Sequence, residues 1–212
     1  MISLNLIIKG GNKFFPTQNA AKLWIVKIFV YLVMSVLSPT LLIGICQDVR
    51  WMAMDGRVHI QSDAPLEVIK AESQVLQGVI DPASNTFAFS IRINSFQGFN
   101  SQIQRTHFLE NYMEEKKYPN ATFEGRFIES IPFDSPGIYS VRAKGILSIH
   151  GIMRERIIRG DLVIGEKSVS VRTDFFVPVS DHGISIPKIV NQKIAEEIAV
   201  TIEIDFNRTK SP

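Results

Sequence analysis

The chain has 212 residues, of which 45% are hydrophobic and 21% charged, with a formal net charge of +2. That length and apolar content suit one domain with a sizeable core. The basic excess sits in four lysines ahead of Asp48, and the rest of the chain is slightly acidic, which argues against a nucleic-acid surface.

Residues 1–46 read as a segment apart from the folded domain at 47–212. Lys9, Lys13, Lys22 and Lys27 precede an uncharged apolar run over 28–46, the pattern of a secretory signal peptide. Gly44 and Cys46 are small residues spaced for cleavage after Cys46, which leaves Gln47 as the first mature residue. An uncleaved membrane anchor is the competing reading, because the run approaches the length of a spanning helix. Pro39 and the nearby Asp48 favour cleavage. Lipoprotein processing at Cys46 is a third route, opposed by the bulk of Ile45. Cys46 is the only cysteine, so a cleaved chain has neither disulfide nor thiol chemistry.

The mature part reads as strand after strand. Val58 and Ile60 alternate with Arg57 and His59 over 57–61, and Ala64-Pro65 ends the run. Leu66, Val68 and Lys70 oppose Glu67 and Ile69 in the next segment, and 75–80 reads as a third. Residues 81–85, Asp-Pro-Ala-Ser-Asn, form a dense turn signal. Phe87, Phe89, Ile91 and Ile93 then alternate with Ala88, Ser90, Arg92 and Asn94.

A helix is expected over 101–113, with Ser101 placed to cap it. Tyr118-Pro119 stops it, because proline cannot extend a helix and drives its predecessor to an extended conformation. A strand follows at once, with Ala121, Phe123, Gly125 and Phe127 on one face and Thr122, Glu124 and Arg126 on the other. Residues 139–149 and 152–164 pair through a tight His150-Gly151 turn. Val169, Val171, Thr173, Phe175, Val177 and Val179 share the next strand's face, and Asp181-His182-Gly183 turns the chain. A short helical segment is expected over 189–195 before Ile198, Val200, Ile202, Ile204 and Phe206 close the chain. About eight strands with short turns and one inserted helix imply an all-β fold, an antiparallel sheet closed into a barrel.

Three ordered stretches carry a family likeness. Arg105, His107, Leu109, Tyr112, Tyr118, Pro119 and Phe123 follow the order R-D-x-H-L, an aromatic-bearing segment, then Y-P-x-x-x-F, with Thr106 in place of the Asp. Residues 139–151, YSVRAKGILSIHG, are similar to Y-x-V-x-G-x-L-T-I-x-G, and Asp181-His182-Gly183-Ile184 to D-x-G-I. Together, over about 57–206, the chain resembles the YceI-like family of lipid- and polyisoprenoid-binding proteins, in particular a short variant of the Bacteroidetes type. The resemblance implies a lipocalin-like barrel around an elongated isoprenoid, quinone or fatty chain, with no catalysis, for storage, transport or stress protection.

The inward candidates are Phe87, Phe89, Ile91, Phe123, Phe127, Val171, Phe175, Ile202 and Ile204. Taken alone they describe a packed core; the resemblance makes them ligand-binding walls. Gly125 and Gly145 either relieve crowding at a bend or leave space. Arg105 is the candidate cation for a phosphate or carboxylate head group, or else it pins the helix to the barrel.

Catalytic constellations are thin. His59, His107, His150 and His182 are not spaced as metal ligands. His107, Glu110 and Glu114 share a helix face that reads as half a metal site or as a solvated surface. Arg92, Arg126 and Arg142 fall on outward faces, where a one-residue slip would turn them inwards. The expected partner is an amphiphilic lipid, with no cofactor beyond it, no metal and no nucleic acid. A homodimer is compatible with this reading, and the protein is expected in the periplasm or secreted. Two rivals stand: a solid barrel acting as a structural or interaction module, and an enzyme with polar residues converging inside.

Overall fold

A computed structural model of the protein describes residues 49–210, so the signal or anchor expected at 1–46 lies outside the described residues. Eight antiparallel strands close into a barrel in chain order: β1 (Val49–Ala64), β2 (Glu67–Asp81), β3 (Thr86–Arg92), β4 (Asn120–Phe127), β5 (Gly137–Ile149), β6 (Ile152–Ile164), β7 (Ser168–Pro178) and β8 (Glu197–Lys210). Pairing of β1 with β8 completes the cylinder. The expected all-β barrel with one inserted helix is therefore the fold.

Local differences have local causes. The expected strand at 57–61 is the middle of β1, and the segments at 66–70 and 75–80 are one strand, β2. Burial along β2 falls on Ala71 and Ser73, then on Leu76, Gly78 and Ile80. The phase change accompanies a register shift where Gly56 meets Leu76. An extra residue at such a bulge breaks the alternation, so one strand reads as two. The expected helix is shorter: α1 (Gln102–His107) continues as a π-helical turn, Phe108–Tyr112. Ser101 caps it as expected, its hydroxyl accepting from the Gln104 N–H at 3.2 Å. The segment 189–195 forms only a 3₁₀ turn, Lys188–Val190, and further turns.

The two ends of the barrel differ. One end carries short connections: 82–85, 128–136 and 165–167. There the inward residues Trp51, Ile80, Phe87, Phe127, Leu162, Ile164, Val169, Ile204 and Phe206 are all buried in one cluster. Phe87 sits 5.1 Å from Phe127 by ring centroids, and Phe89 meets Phe206 edge-on at 6.0 Å. Each such side chain contributes roughly 1.5–3 kcal/mol relative to exposure. This is a solid floor. The other end carries the β1–β2 turn, the β5–β6 turn and two long connections, 93–119 and 179–196.

At the β5–β6 turn both central residues have positive φ, 52° at His150 and 73° at Gly151, the geometry that matches strand twist in a two-residue hairpin. Gly125 and Gly145 face each other across the β4–β5 ladder. A Cβ at Gly125 would run into the Lys144 carbonyl and lie 2.5 Å from the Gly145 Cα. These glycines thus let two backbones approach and are not cavity space. Gly125→Ala should destabilise the barrel by about 1–3 kcal/mol, since neither backbone can yield freely; denaturant unfolding of the variant against the parent measures this.

Candidate functional site

The roof is built from side chains that fasten the two long connections to strand ends. In the first, Phe108 packs on Phe96 and Phe99 at 5.8 and 5.0 Å between ring centroids. Arg105 donates from Nε to the Phe96 carbonyl at 3.0 Å and from Nη2 to the Asn94 carbonyl at 2.8 Å. At the far end of this segment, Glu114 lies 3.1 Å from Nε2 of His150, and Tyr118 meets the His150 ring edge-on at 4.8 Å. The segment is thereby held to the β5–β6 turn.

The second connection is fastened at both its ends. The Ala195 N–H donates to the Ser62 hydroxyl at 2.8 Å, and the Leu66 N–H to the Gln192 carbonyl at 2.9 Å. Its anchor is His182, which is fully buried. Nδ1 of His182 donates to the Ile152 carbonyl at 3.1 Å, while Nε2 is buried without a partner. Burial away from water holds the His182 pKa below the ordinary 6.5, so the ring is neutral.

Between floor and roof lies a cavity of about 510 Å³. That is within the usual range for a small-molecule site, roughly 300–1,000 Å³. Seven of the residues expected to face a ligand line it: Phe89, Ile91, Phe123, Phe127, Val171, Phe175 and Ile202. Phe87 and Ile204 lie deeper, in the floor cluster, and are not among its lining residues. Arg105 is also outside the lining, and its guanidinium is engaged by two backbone carbonyls; it fastens the roof.

Sequence reasoning missed two groups of walls. Ile60, Val141, Leu147, Ile158 and Val200 sit on the same alternation as the named residues and could have been drawn from it. Phe99, Phe108, Ile184, Ile186 and Ile194 come from the roof, where no strand pattern marks them. Polar residues on the lining include Glu67, with Gln104 donating to its carboxylate at 2.5 Å, and Lys193 near the strand ends, and Ser90, Thr122, Arg159 and Thr173 within the strands. Arg92, Arg126 and Arg142 are exposed, as their strand phase requires. His107 lines the cavity while Glu114 turns to His150, so the helix face does not converge as a metal site. No helix among the described residues is long and apolar enough to cross a membrane.

The sequence model of the YceI-like domain matches residues 53–206. The chain belongs to the YceI-like family. Its barrel is similar to that of solved structures sharing little sequence. A polyisoprenoid binding domain from Saccharophagus degradans, implicated in plant cell wall breakdown, aligns with a TM-score of 0.66 at 13% identity, over 77% of this chain and 99% of that one. BcnA of Burkholderia cenocepacia aligns with a TM-score of 0.58 at 15% identity, over 71% and 95%. A YceI protein of Campylobacter jejuni aligns with a TM-score of 0.51 at 20% identity, over 66% and 85%. No curated protein matches the chain. At these identities the likeness is one of fold, and what this YceI-like barrel holds must be argued from its own cavity.

The buried His182 makes roof and barrel stability depend on pH. Its folded pKa is lowered from 6.5, so the unfolded chain takes up the proton first as pH falls. The stabilisation is complete above the unfolded value and is lost as pH drops through and below it. Thermal melts from pH 7.5 to 5 should show a falling midpoint. In His182→Asn that slope should flatten, even though the variant starts lower.

Proposed function

We propose that this YceI-like protein binds an amphiphilic lipid of polyisoprenoid, quinone or fatty-acid type, without catalysis, in the periplasm or outside the cell. The observation that carries this reading is the cavity itself. Its walls are mostly aliphatic and aromatic side chains from the strands and both long connections, with Glu67, Gln104 and Lys193 as polar groups near the strand ends. An apolar chain placed there leaves water at roughly 25 cal/mol per Å² of buried surface. A head group remains near the strand ends. The polyisoprenoid binding domain of similar fold supports the same class of ligand. A solid barrel acting only as an interaction module would have no such space, and a polar reaction centre would need convergent charged groups where this cavity has hydrocarbon. Storage, transport or protection of a lipid that water would otherwise exclude is the role such a container serves.

Native mass spectrometry of the protein from its own kind of host, followed by solvent extraction, tests this. A co-purifying species of lipid mass, released on denaturation, is the expected result. A bare polypeptide that also takes up no added quinone or fatty acid overturns the proposal. Ala143, a small wall residue between Phe127 and Ile158 in the β4–β5–β6 ladders, offers the complementary test. Ala143→Trp should fill part of the cavity and lower lipid occupancy about tenfold or more while the circular dichroism of the sheet is retained.

A further inference from the structure

The barrel wall is not closed by a backbone ladder everywhere: β2 pairs with β3 only from Gln77↔Ser90 to Asp81↔Thr86, and a second open interval lies between β6 and β7. Strand β6 is paired to β5 along its whole length, and β7 to β8 likewise. Between them, however, β6 and β7 pair only from Asp161↔Arg172 to Ile164↔Val169. The strands part at Gly160, where a Cβ would lie 2.9 Å from the Arg172 carbonyl oxygen and 3.0 Å from the Thr173 Cβ. Beyond that point side chains cross the gap in place of the ladder. The Thr173 hydroxyl donates to the Arg159 carbonyl at 2.6 Å. Arg156 Nη2 donates to the Phe176 carbonyl at 2.8 Å, and Arg154 Nε to the Asp181 carbonyl at 2.8 Å.

The residues at this seam are unusual for their position. Arg154 and Arg156 continue the strand phase of Ile158, Gly160, Leu162 and Ile164, the phase that faces the barrel interior. Their ladder partners on β5 are Leu147 and Gly145, inward residues of an apolar barrel. Two cations thus occupy inward phase beyond the lining of a hydrocarbon cavity, Arg154 exposed at the strand end and Arg156 partly buried, so the cost of taking charge out of water falls on Arg156 unless an anion meets it. The protein meets them in part. Asp181 offers its carboxylate to Arg156 Nη1 at 3.6 Å, with both side chains partly exposed. Each guanidinium has five N–H donors, and among the described residues each directs a single hydrogen bond to the protein. Arg159 is on the other phase of the same strand, paired with the exposed Arg142, and stands apart from this inward pair.

The seam also communicates with the cavity. Ile158, Gly160, Thr173 and Phe175, which border the gap, all line it. Arg156 is two residues beyond Ile158, roughly 7 Å along the strand. Outside, Ile157 and Phe176 flank the gap at 55% and 60% exposure, an apolar rim for a chain that crosses it.

We propose that Arg154 and Arg156 form the head-group site of the bound amphiphile, whose carboxylate or phosphate sits at the β6–β7 seam while its chain passes Ile158 and Phe175 into the cavity. This rests on the lipid-binding reading above and narrows it to acidic amphiphiles. The planar guanidinium accepts either oxyanion with paired, charge-assisted hydrogen bonds, which strengthen where water is partly excluded. Asp181 competes for the site and sets its selectivity against weakly charged heads.

Three probes with the same hexadecyl chain test it: palmitate, hexadecyl phosphate and hexadecanol, each titrated into delipidated protein by displacement of Nile red. The parent should bind one or both anions about tenfold more tightly than the alcohol, and the tighter of the two identifies the head-group class. R154Q/R156Q should lose that preference while its affinity for hexadecanol stays unchanged. Arg172→Gln, on the same wall within the paired stretch, should keep the preference. Equal binding of all three probes by the parent, or a preference that survives R154Q/R156Q, overturns the head-group site and leaves the cavity reading intact. Failure of the parent to bind any of the three overturns both.

Discussion

Closure of the sheet is the constraint on which the rest of this molecule depends. An open eight-stranded sheet would leave two rows of unpaired backbone groups, and joining β1 to β8 removes them. Once closed, the barrel has an interior that side chains must fill or leave empty. Where connections are short, the strand ends are drawn together and large residues such as Trp51, Phe87 and Phe206 fill the interior completely. Where they are long, the inward side chains stop short of one another, and a cavity remains beneath a roof of loop and helix. One uniform pattern of alternation thus produces a solid floor and a hollow upper half.

The roof depends on polar fastenings rather than on a large core of its own. Arg105 binds two carbonyls, Ser62 receives the Ala195 N–H, and Glu114 reaches His150. Each is modest by itself, about 0.5–1.5 kcal/mol net for an ordinary hydrogen bond. Such a roof can yield locally without unfolding the floor. The buried neutral His182 sits where the second connection turns over β6, joining roof integrity to proton concentration.

The seam between β6 and β7 is a stretch of short pairing where charge is oddly placed. Everywhere else along β6 the inward phase is apolar or glycine, but at Arg154 and Arg156 it is cationic. Apolar interior walls and a cationic gap are the two features on which the proposed head-group site rests.

The sequence by itself determined the strands, their facing residues and the corner at Tyr118-Pro119, because alternation, proline and turn chemistry act over a few neighbouring residues. Strand number and short turns pointed to the closed barrel, and the family likeness agreed with it. The phase change in β2 hid from the same reading, since a bulge needs its partner strand to be recognised. For the site, seven of the nine apolar candidates were legible because a wall residue and a core residue obey one pattern. Phe87 and Ile204 separated from them only by height in the barrel, and Arg105 from its head-group role only by the carbonyls it meets. Whether the interior is full or hollow, and whether Arg154 and Arg156 lie on a closed wall or an open seam, depends on how far strands distant in sequence diverge. That distance is set by loop length and packing around the whole closed sheet, so only the tertiary structure could decide it.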